Sequence, residues 1–137
     1  MENNDLMDKE TLKSPSLSAS LEDYLKEIYV LSLEGREVRV TDLAKCLGLT
    51  KPSVNRAVST LKDQGLLTHE HYGRISLTDE GRKMAKKIYE NYRVMYRFLT
   101  EILGVDMETA DREAHLMEHA LSKETRKKLK KHIKSLK

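Results

Sequence analysis

Three side chains of types that bind metal ions lie close together near the C-terminal end of the chain, in the segment His115-Leu-Met-Glu118-His119. If this segment is helical, positions i, i+3 and i+4 share one face, so that two imidazoles and a carboxylate converge. Nitrogen and oxygen ligands of this kind suit a divalent cation. The spacing predicts a metal-binding helix face, although a polar face with two incidental histidines is an alternative on this segment alone.

The same spacing, HxxEH, also occurs in inverted zinc peptidases, in which the glutamate acts as the general base. That chemistry requires a further ligand from a later element. The chain after His119 is short and strongly basic, and Glu124 and His132 are its candidates. A peptidase is therefore the weaker hypothesis, and we expect the protein not to be an enzyme.

A second group of functional side chains lies between residues 50 and 63. Its members donate hydrogen bonds, and no acidic residue interrupts them before Asp63: Lys51, Ser53, Asn55, Arg56, Ser59 and Lys62. Arginine recognises guanine and asparagine recognises adenine through paired hydrogen bonds, whereas the lysines and Ser59 are better placed for phosphates. A solvated face is the simpler interpretation for any single residue, but the group as a whole predicts a helix that reads DNA.

This helix has clear sequence signals at both ends. Thr50 is its predicted N-cap, Pro52 lies in its first turn, and Gly65 closes it. We include Thr50 and Pro52 in the predicted DNA-binding set. Residues spaced for burial alternate with the polar ones: Val54, Ala57, Val58 and Leu61.

The neighbouring elements predict a winged helix-turn-helix. A helix in TDLAKCLGL, capped by Thr41 and ended by Gly48, precedes the DNA-reading helix after a turn of about three residues. The segment LLTHEHYGRISLT follows it and predicts a β-hairpin around Tyr72-Gly73, the wing. Arg74 lies in this wing, from which it could enter a minor groove, and it completes the predicted DNA-binding set.

Further helices flank this unit. The first is predicted to begin at an N-cap, Ser20, with Asp23 at the third helical position, and to end near Gly35, before a short strand at 38–40. Thr78 is predicted to cap a long helix over 79–103. A helix over 107–121 and a basic helix capped by Ser122 follow. The fold class is mainly α with a small β-wing.

Bulk composition narrows the class of protein. The 137 residues suit one or two small domains, and the net charge of +3 is too small to indicate a nucleic-acid partner by itself. The single cysteine, Cys46, excludes an internal disulfide framework and suits a reducing compartment. The sequence has neither an apolar run of about 18 residues nor the layout of a signal peptide. We expect a cytoplasmic protein with no membrane partner and no organic cofactor.

The sequence resembles the diphtheria-toxin-repressor family of metal-dependent regulators, and within it the shorter manganese-transport regulators. The resemblance runs from about Ser20 to Leu121 and rests on EDYLKEIYVL, VTDLAKCLGLTKPSVNRAVSTLKDQGLL, LTDEGRKMAKKI, FLTEILGVD and EAHLMEHALS. It implies a homodimer in which an N-terminal winged helix-turn-helix (19–80) binds double-stranded operator DNA. A C-terminal helical domain (81–137) would bind metal and dimerise. Independently of the resemblance, the polar residues 1–18 have no sustained apolar period, which predicts a disordered tail. The SH3-like domain of longer members is not expected.

The resemblance also implies metal ligands. Asp23 matches a carboxylate ligand in the first helix of the manganese regulators, and Glu118 with His119 matches a Glu-His ligand pair. His115 stands at a ligand position that is a carboxylate in manganese regulators and a cysteine in iron regulators. We therefore predict a site formed by Asp23, His115, Glu118 and His119. Alternatively, Asp23 merely completes a capping box with Ser20.

Two positions depart from the family pattern and bear on stoichiometry. Lys26 replaces a second carboxylate of the first helix, and Tyr92 replaces a histidine of the long helix. A protonated lysine cannot be a ligand and repels a nearby dication, so we predict one metal ion per subunit. Glu22 and Asp111 are the replacement ligands to consider if a second ion binds, and a member that has lost metal control is the other alternative.

The ligands offer nitrogen and oxygen but no sulfur, which suits Mn²⁺ or, as the alternative, Fe²⁺. An aspartate at position 23 favours Mn²⁺. By resemblance, the ion would tie the first helix to the HxxEH helix, set two recognition helices about 34 Å apart and repress metal-uptake genes. Core and dimer interface are expected to share one set of apolar residues that the sequence does not divide: Val94, Met95, Phe98, Leu99, Ile102 and Leu116.

Overall fold

The computed structural model describes residues 17–70 and 73–136. The predicted tail falls outside this part of the chain up to residue 16, and so does Tyr72 of the predicted hairpin. The rest is mainly helical with one small antiparallel sheet, as the sequence predicts. No helix of the described ranges combines the length and the apolar character needed to cross a membrane.

Helix α1 (Ala19–Leu33) begins two residues earlier than predicted. Ser18 is its N-cap, since the Ser18 hydroxyl accepts a hydrogen bond from the Leu21 amide, so the prediction of Ser20 was wrong. Asp23 consequently lies in the second turn and does not complete a capping box. Its carboxylate is free to face another helix.

Strand β1 (Val38–Arg39) leads directly into helix α2 (Val40–Leu47). The cap of α2 is Arg39 and not Thr41, because the Asp42 carboxylate accepts a hydrogen bond from the Arg39 amide. The predicted end at Gly48 is confirmed: Gly48 adopts φ +64°, a left-handed conformation that favours glycine.

Helix α3 (Lys51–Asp63) follows the sequence prediction closely. Thr50 caps it, and the predicted stripe is buried: Val54, Ala57, Val58 and Leu61. Strands β2 (Leu67–His69) and β3 (Arg74–Leu77) then form the predicted antiparallel hairpin. Strand β1 pairs with the other edge of β3, with Val38 opposite Ile75.

The C-terminal half contains helices α4 (Asp79–Arg97), α5 (Met107–Ala120) and α6 (Lys123–Ser135). Thr78 and Ser122 cap α4 and α6, as predicted. The long predicted helix is not α-helical to its end, because residues Phe98–Ile102 form a π-helical turn. This turn closes with a hydrogen bond of 3.1 Å from the Leu103 amide to the Phe98 carbonyl.

Two hydrophobic cores divide the structure within α4. The first core combines α1, α2, α3, the sheet and the first half of α4, as far as Ile88. The second core packs Met95 and Leu99 against Ala110 and Ala114 of α5. The first half of α4 thus closes the N-terminal core, while the domain limits at 80 and 81 stay a prediction.

Gly81 makes the tightest backbone approach between the wing and α4. A Cβ atom at this position would lie 1.9 Å from the Leu66 carbonyl oxygen and 2.8 Å from the Leu66 carbonyl carbon. Both atoms belong to the backbone, so they cannot turn away as a flexible side chain would. The absence of a side chain at Gly81 therefore lets α4 dock on the end of the hairpin.

Gly81→Ala is expected to lower the free energy of unfolding by about 2–3 kcal/mol, because the new methyl group forces backbone apart. Helix propensity alone predicts the opposite sign, a gain of about 1 kcal/mol. Urea unfolding followed by circular dichroism measures the change. Lys83→Ala, an exposed change in the same helix, is the control and should stay within about 0.5 kcal/mol of the parent. A stabilised Gly81→Ala protein would contradict this account of the contact.

Candidate functional site

The predicted metal ligands come from two helices that face each other, α1 and α5. His115, Glu118 and His119 lie on α5, whose single helical face brings them together as the i, i+3, i+4 spacing predicts. Asp23 approaches from α1, and its Oδ1 atom lies 3.2 Å from His119 Nε2. The structure thus brings the four residues to one place between the helices.

Glu22 is a neighbour that the sequence prediction kept only as a reserve ligand. Its Oε1 atom lies 2.7 Å from His119 Nδ1. One ligand atom from each of Glu22, Glu118 and His119 lies within 4.8 Å of the others, which is the spacing of groups that hold a metal ion. Adjacent positions of α1 thus put Glu22 and Asp23 on the two nitrogens of one imidazole.

Glu118 is the most buried of these acidic groups, with 2% of its surface exposed. Its Oε2 atom has no hydrogen-bond partner among the described residues. Burial raises the pKa of Glu118, while the neighbouring Lys26 ammonium acts in the opposite direction. A buried carboxylate oxygen without a donor is an unsatisfied group that a cation would stabilise.

Lys26 occupies the space between Asp23, His115 and Glu118. Its ammonium donates a hydrogen bond of 2.5 Å to His115 Nδ1 and lies 3.6 Å from Glu118 Oε2 and 3.8 Å from Asp23 Oδ1. Burial and then the Lys26 charge lower the pKa of His115. The Nδ1 atom of His115 is therefore engaged by Lys26, and it lies 3.9 Å from Asp23 Oδ1, the oxygen that also contacts His119.

Tyr92, at the second position that departs from the family pattern, contacts Asp111 and His115. Its hydroxyl donates a hydrogen bond to Asp111, and its ring stacks near His115, with 4.5 Å between ring centroids. Burial and the Asp111 hydrogen bond raise the pKa of Tyr92. The Tyr92 hydroxyl and the Asp111 carboxylate are thus hydrogen-bonded to each other and lie beside the four predicted ligands.

The further ligand that a peptidase requires does not come from α6. Glu124 is exposed and pairs with Lys128 at 3.3 Å, and His132 is exposed near the end of the helix. Within the ranges that the structure describes, the side chains spaced closely enough to hold a metal ion together are those of Glu22, Glu118 and His119.

The predicted DNA-binding face is the solvent-facing side of α3. Its members are exposed apart from the half-buried Ser53: Lys51, Pro52, Asn55, Arg56, Ser59 and Lys62. The first turn is ordered by its own side chains. The Thr50 hydroxyl donates to Ser53 Oγ at 3.0 Å, and Arg56 Nη2 donates to the same oxygen at 3.5 Å. Thr50, Ser53 and Arg56 therefore form one polar surface at the N-terminal end of α3, where recognition helices meet base edges.

Arg74 lies apart from α3, at the beginning of β3. Its guanidinium forms ion pairs with Glu70 at 2.6 Å and with Glu37 at 3.4 Å. Entry into a minor groove would require Arg74 to leave these partners. The minor-groove role of Arg74 stays a prediction.

Comparison with known proteins identifies one family for both halves. A profile described as iron dependent repressor, N-terminal DNA binding domain, matches residues 16–75. A second, described as iron dependent repressor, metal binding and dimerisation domain, matches residues 78–137. An HTH-type transcriptional regulator of Methanocaldococcus jannaschii is 40% identical over 83% of this chain and 92% of its own length. The HTH-type transcriptional regulator MntR of Bacillus subtilis is 35% identical over 75% of this chain and 72% of its own length.

The fold agrees with this assignment. The solved structure of the manganese regulator SloR superposes with a TM-score of 0.75 at 27% identity, covering 83% of this chain and 53% of that protein. The chain therefore spans about half the length of this structural relative. The two profiles cover both halves of the chain, and a relative is 40% identical over 92% of its own length. The chain therefore belongs to the iron-dependent repressor family of metal-dependent, DNA-binding transcriptional regulators.

Proposed function

We propose that this protein represses metal-uptake genes in the cytoplasm, binds operator DNA through α3, and responds to Mn²⁺ at one site per subunit, with Fe²⁺ as the alternative. One observation carries the proposal: the ligand atoms of Glu22, Glu118 and His119 approach within 4.8 Å of one another, and Glu118 holds a buried oxygen without a hydrogen-bond partner. A site of this kind between α1 and α5 lets an ion affect the DNA-binding half.

The donor set supports a single divalent cation. Glu118 and His119 contribute from α5, and Asp23 with Glu22 contributes from α1, so carboxylates dominate. Such oxygen-rich sets suit Mn²⁺ and Fe²⁺, although Zn²⁺ binds nitrogen and oxygen ligands more tightly in solution. His115 is a further predicted ligand, whose Nδ1 lies 3.9 Å from Asp23 Oδ1 and is held by Lys26, while its Nε2 faces Asp111 at 3.6 Å. A bound cation supplies positive charge and ligand bonds that join the two helices.

The consequence for DNA follows from linkage. Residues of α1 form part of the same core as α3, through Leu25 and Ile28 packed with Val54 and Val58. Fixing α1 against α5 therefore fixes α3 relative to the C-terminal half. A coupling of this kind typically changes affinity about 5–150-fold.

A winged-helix regulator that senses an organic ligand is the rival function. It predicts operator affinity that is independent of metal ions. One cavity of the described residues, lined by Tyr89, Tyr92 and Tyr96 together with charged side chains, is an open surface depression that would enclose little of an organic ligand. A metallohydrolase predicts turnover by a metal-loaded preparation.

Isothermal titration of the protein with Mn²⁺ is expected to show one site per subunit. His119→Ala should abolish this binding and the metal-dependent gain in operator affinity, because His119 contacts both Glu22 and Asp23. His132→Ala, which removes an exposed histidine of α6, is the matched control and should bind Mn²⁺ normally. Two equivalents would mean that groups such as Asp111 form a second site. Zero equivalents with normal operator binding would identify a regulator without a metal sensor.

The two predicted modes of DNA contact can be separated by substitution on α3. Arg56→Ala is expected to weaken specific operator binding by about 1–3 kcal/mol and to relax sequence preference, since a donor to a base edge is lost. Lys62→Ala should weaken binding to all sequences about equally and reduce the salt dependence. Fluorescence anisotropy with operator and random duplexes, each at several salt concentrations, measures both effects. Identical behaviour of the two variants would overturn the assignment of the reading face.

Dimerisation is expected to use the apolar surface that the second core leaves exposed. Met95 and Leu99 are buried, whereas larger exposed apolar residues concentrate in the C-terminal half: Ile102, Leu103, Met107, Leu116 and Leu136. The dimer should therefore persist in chelator, since the metal ligands lie elsewhere. Leu103→Lys is expected to shift the protein towards monomer in light scattering. Leu33→Lys changes a similarly exposed leucine of α1 and should remain dimeric, and a monomeric parent protein would contradict the prediction.

A further inference from the structure

Lys26 is a charged side chain in a place where charge is costly. It is 3% exposed, and with Glu118 it makes up the buried charged residues of the described chain. Transfer of an ammonium from water into a protein interior is unfavourable unless acceptors compensate for the lost hydration. The groups around Lys26 are therefore part of what stabilises its position.

These groups come from three different helices. Asp23 is on α1 with Lys26 itself, His115 and Glu118 are on α5, and the ring of Tyr92 is on α4, with its centroid 4.5 Å from the ammonium nitrogen. The carboxylate, imidazole and aromatic face are each favourable partners for a cation. The ammonium thus lies at the meeting point of α1, α4 and α5.

The groups around Lys26 resemble the lining of a cation-binding site, and the Lys26 ammonium occupies its centre. Two carboxylates and an imidazole nitrogen point at one positive centre, at 2.5–3.8 Å; His115 and Glu118 share one face of α5, and Asp23 comes from α1. An ammonium and a bound ion satisfy such groups by the same attraction. They differ in that the ammonium is covalently attached to α1 and cannot be removed by a chelator.

We propose that Lys26 is a built-in cation that holds α1 against α5 in the absence of a metal ion, so that the DNA-binding half is partly docked before metal binds. The effect of Lys26 on metal binding rests on the proposed function. The docking itself depends on the contacts of Lys26. The same charge opposes the bound ion, since it lies within a few ångströms of Asp23 and Glu118, two of the proposed ligands.

The test compares the full-length protein with Lys26→Met, which keeps an unbranched side chain one atom shorter and removes its charge. Hydrogen–deuterium exchange in chelator is expected to rise about tenfold or more in α5, because its link to α1 is lost, while α3 keeps its protection. Saturating Mn²⁺ should restore the protection of α5. Lys86→Met, an exposed lysine of α4, is the control and should leave the exchange of both helices unchanged.

The affinity for Mn²⁺ is a second measurement, which would not change if Lys26 had only a structural role. Lys26→Met should bind Mn²⁺ about tenfold more tightly than the parent, since a like charge near the ligands is gone. If Lys26→Met unfolds in chelator, Mn²⁺ should refold it, and failure to refold would overturn the proposal. Unchanged exchange in α5, or equal loss of protection in α3 and α5, would also overturn it.

The two proposals fail in distinguishable ways. A parent protein that binds no Mn²⁺ would overturn the metal-responsive function, but the chelator comparison would still test whether Lys26 joins the helices. The role of Lys26 alone would be overturned by a different result. In that case the parent protein binds one Mn²⁺, and Lys26→Met changes neither the hydrogen exchange of α5 nor the affinity for Mn²⁺.

Discussion

The polar contact between α1 and α5 places buried charges at the junction of the two halves of this protein. Hydrophobic residues assemble each half separately, and they leave a buried lysine and a buried glutamate facing each other across the junction. Apolar packing tolerates small shifts, whereas buried charges require particular partners. Asp23, His115 and Glu118 therefore need a positive charge between them, which Lys26 supplies.

Two residues of this junction, Lys26 and Tyr92, differ from the ligands that the family resemblance implies. They interact with each other through a cation–π contact, and both contact His115. One side of the junction is thereby filled by the protein. The other side, around His119, brings Glu22 and Asp23 onto one imidazole. Glu118 belongs to both sides, because its Oε2 lies 3.6 Å from Lys26 and one of its oxygens lies within 4.8 Å of ligand atoms of Glu22 and His119.

The sequence predicted the elements whose signals are local. The stripe of α3, the caps Thr50, Thr78 and Ser122, and the hairpin all follow from nearest-neighbour chemistry and spacing. The start of α1 was missed because Ser18 and Ser20 are equally good caps in isolation, and packing of Leu17 and Leu21 against the core selects the earlier one. The involvement of Glu22 and the burial of Lys26 depend on the distance between α1 and α5, which no pattern along the chain contains.

Helix α4 belongs to both cores without a break between Asp79 and Arg97. Its first half, from Gly81 to Ile88, is packed into the first core, and Met95 lies in the second. At 1.5 Å per residue, its 19 residues span about 28 Å, so a tilt of about 5° would displace one end relative to the other by roughly 2.5 Å. An unbroken helix shared in this way would convert a small tilt at the second core into a larger displacement of the DNA-binding half.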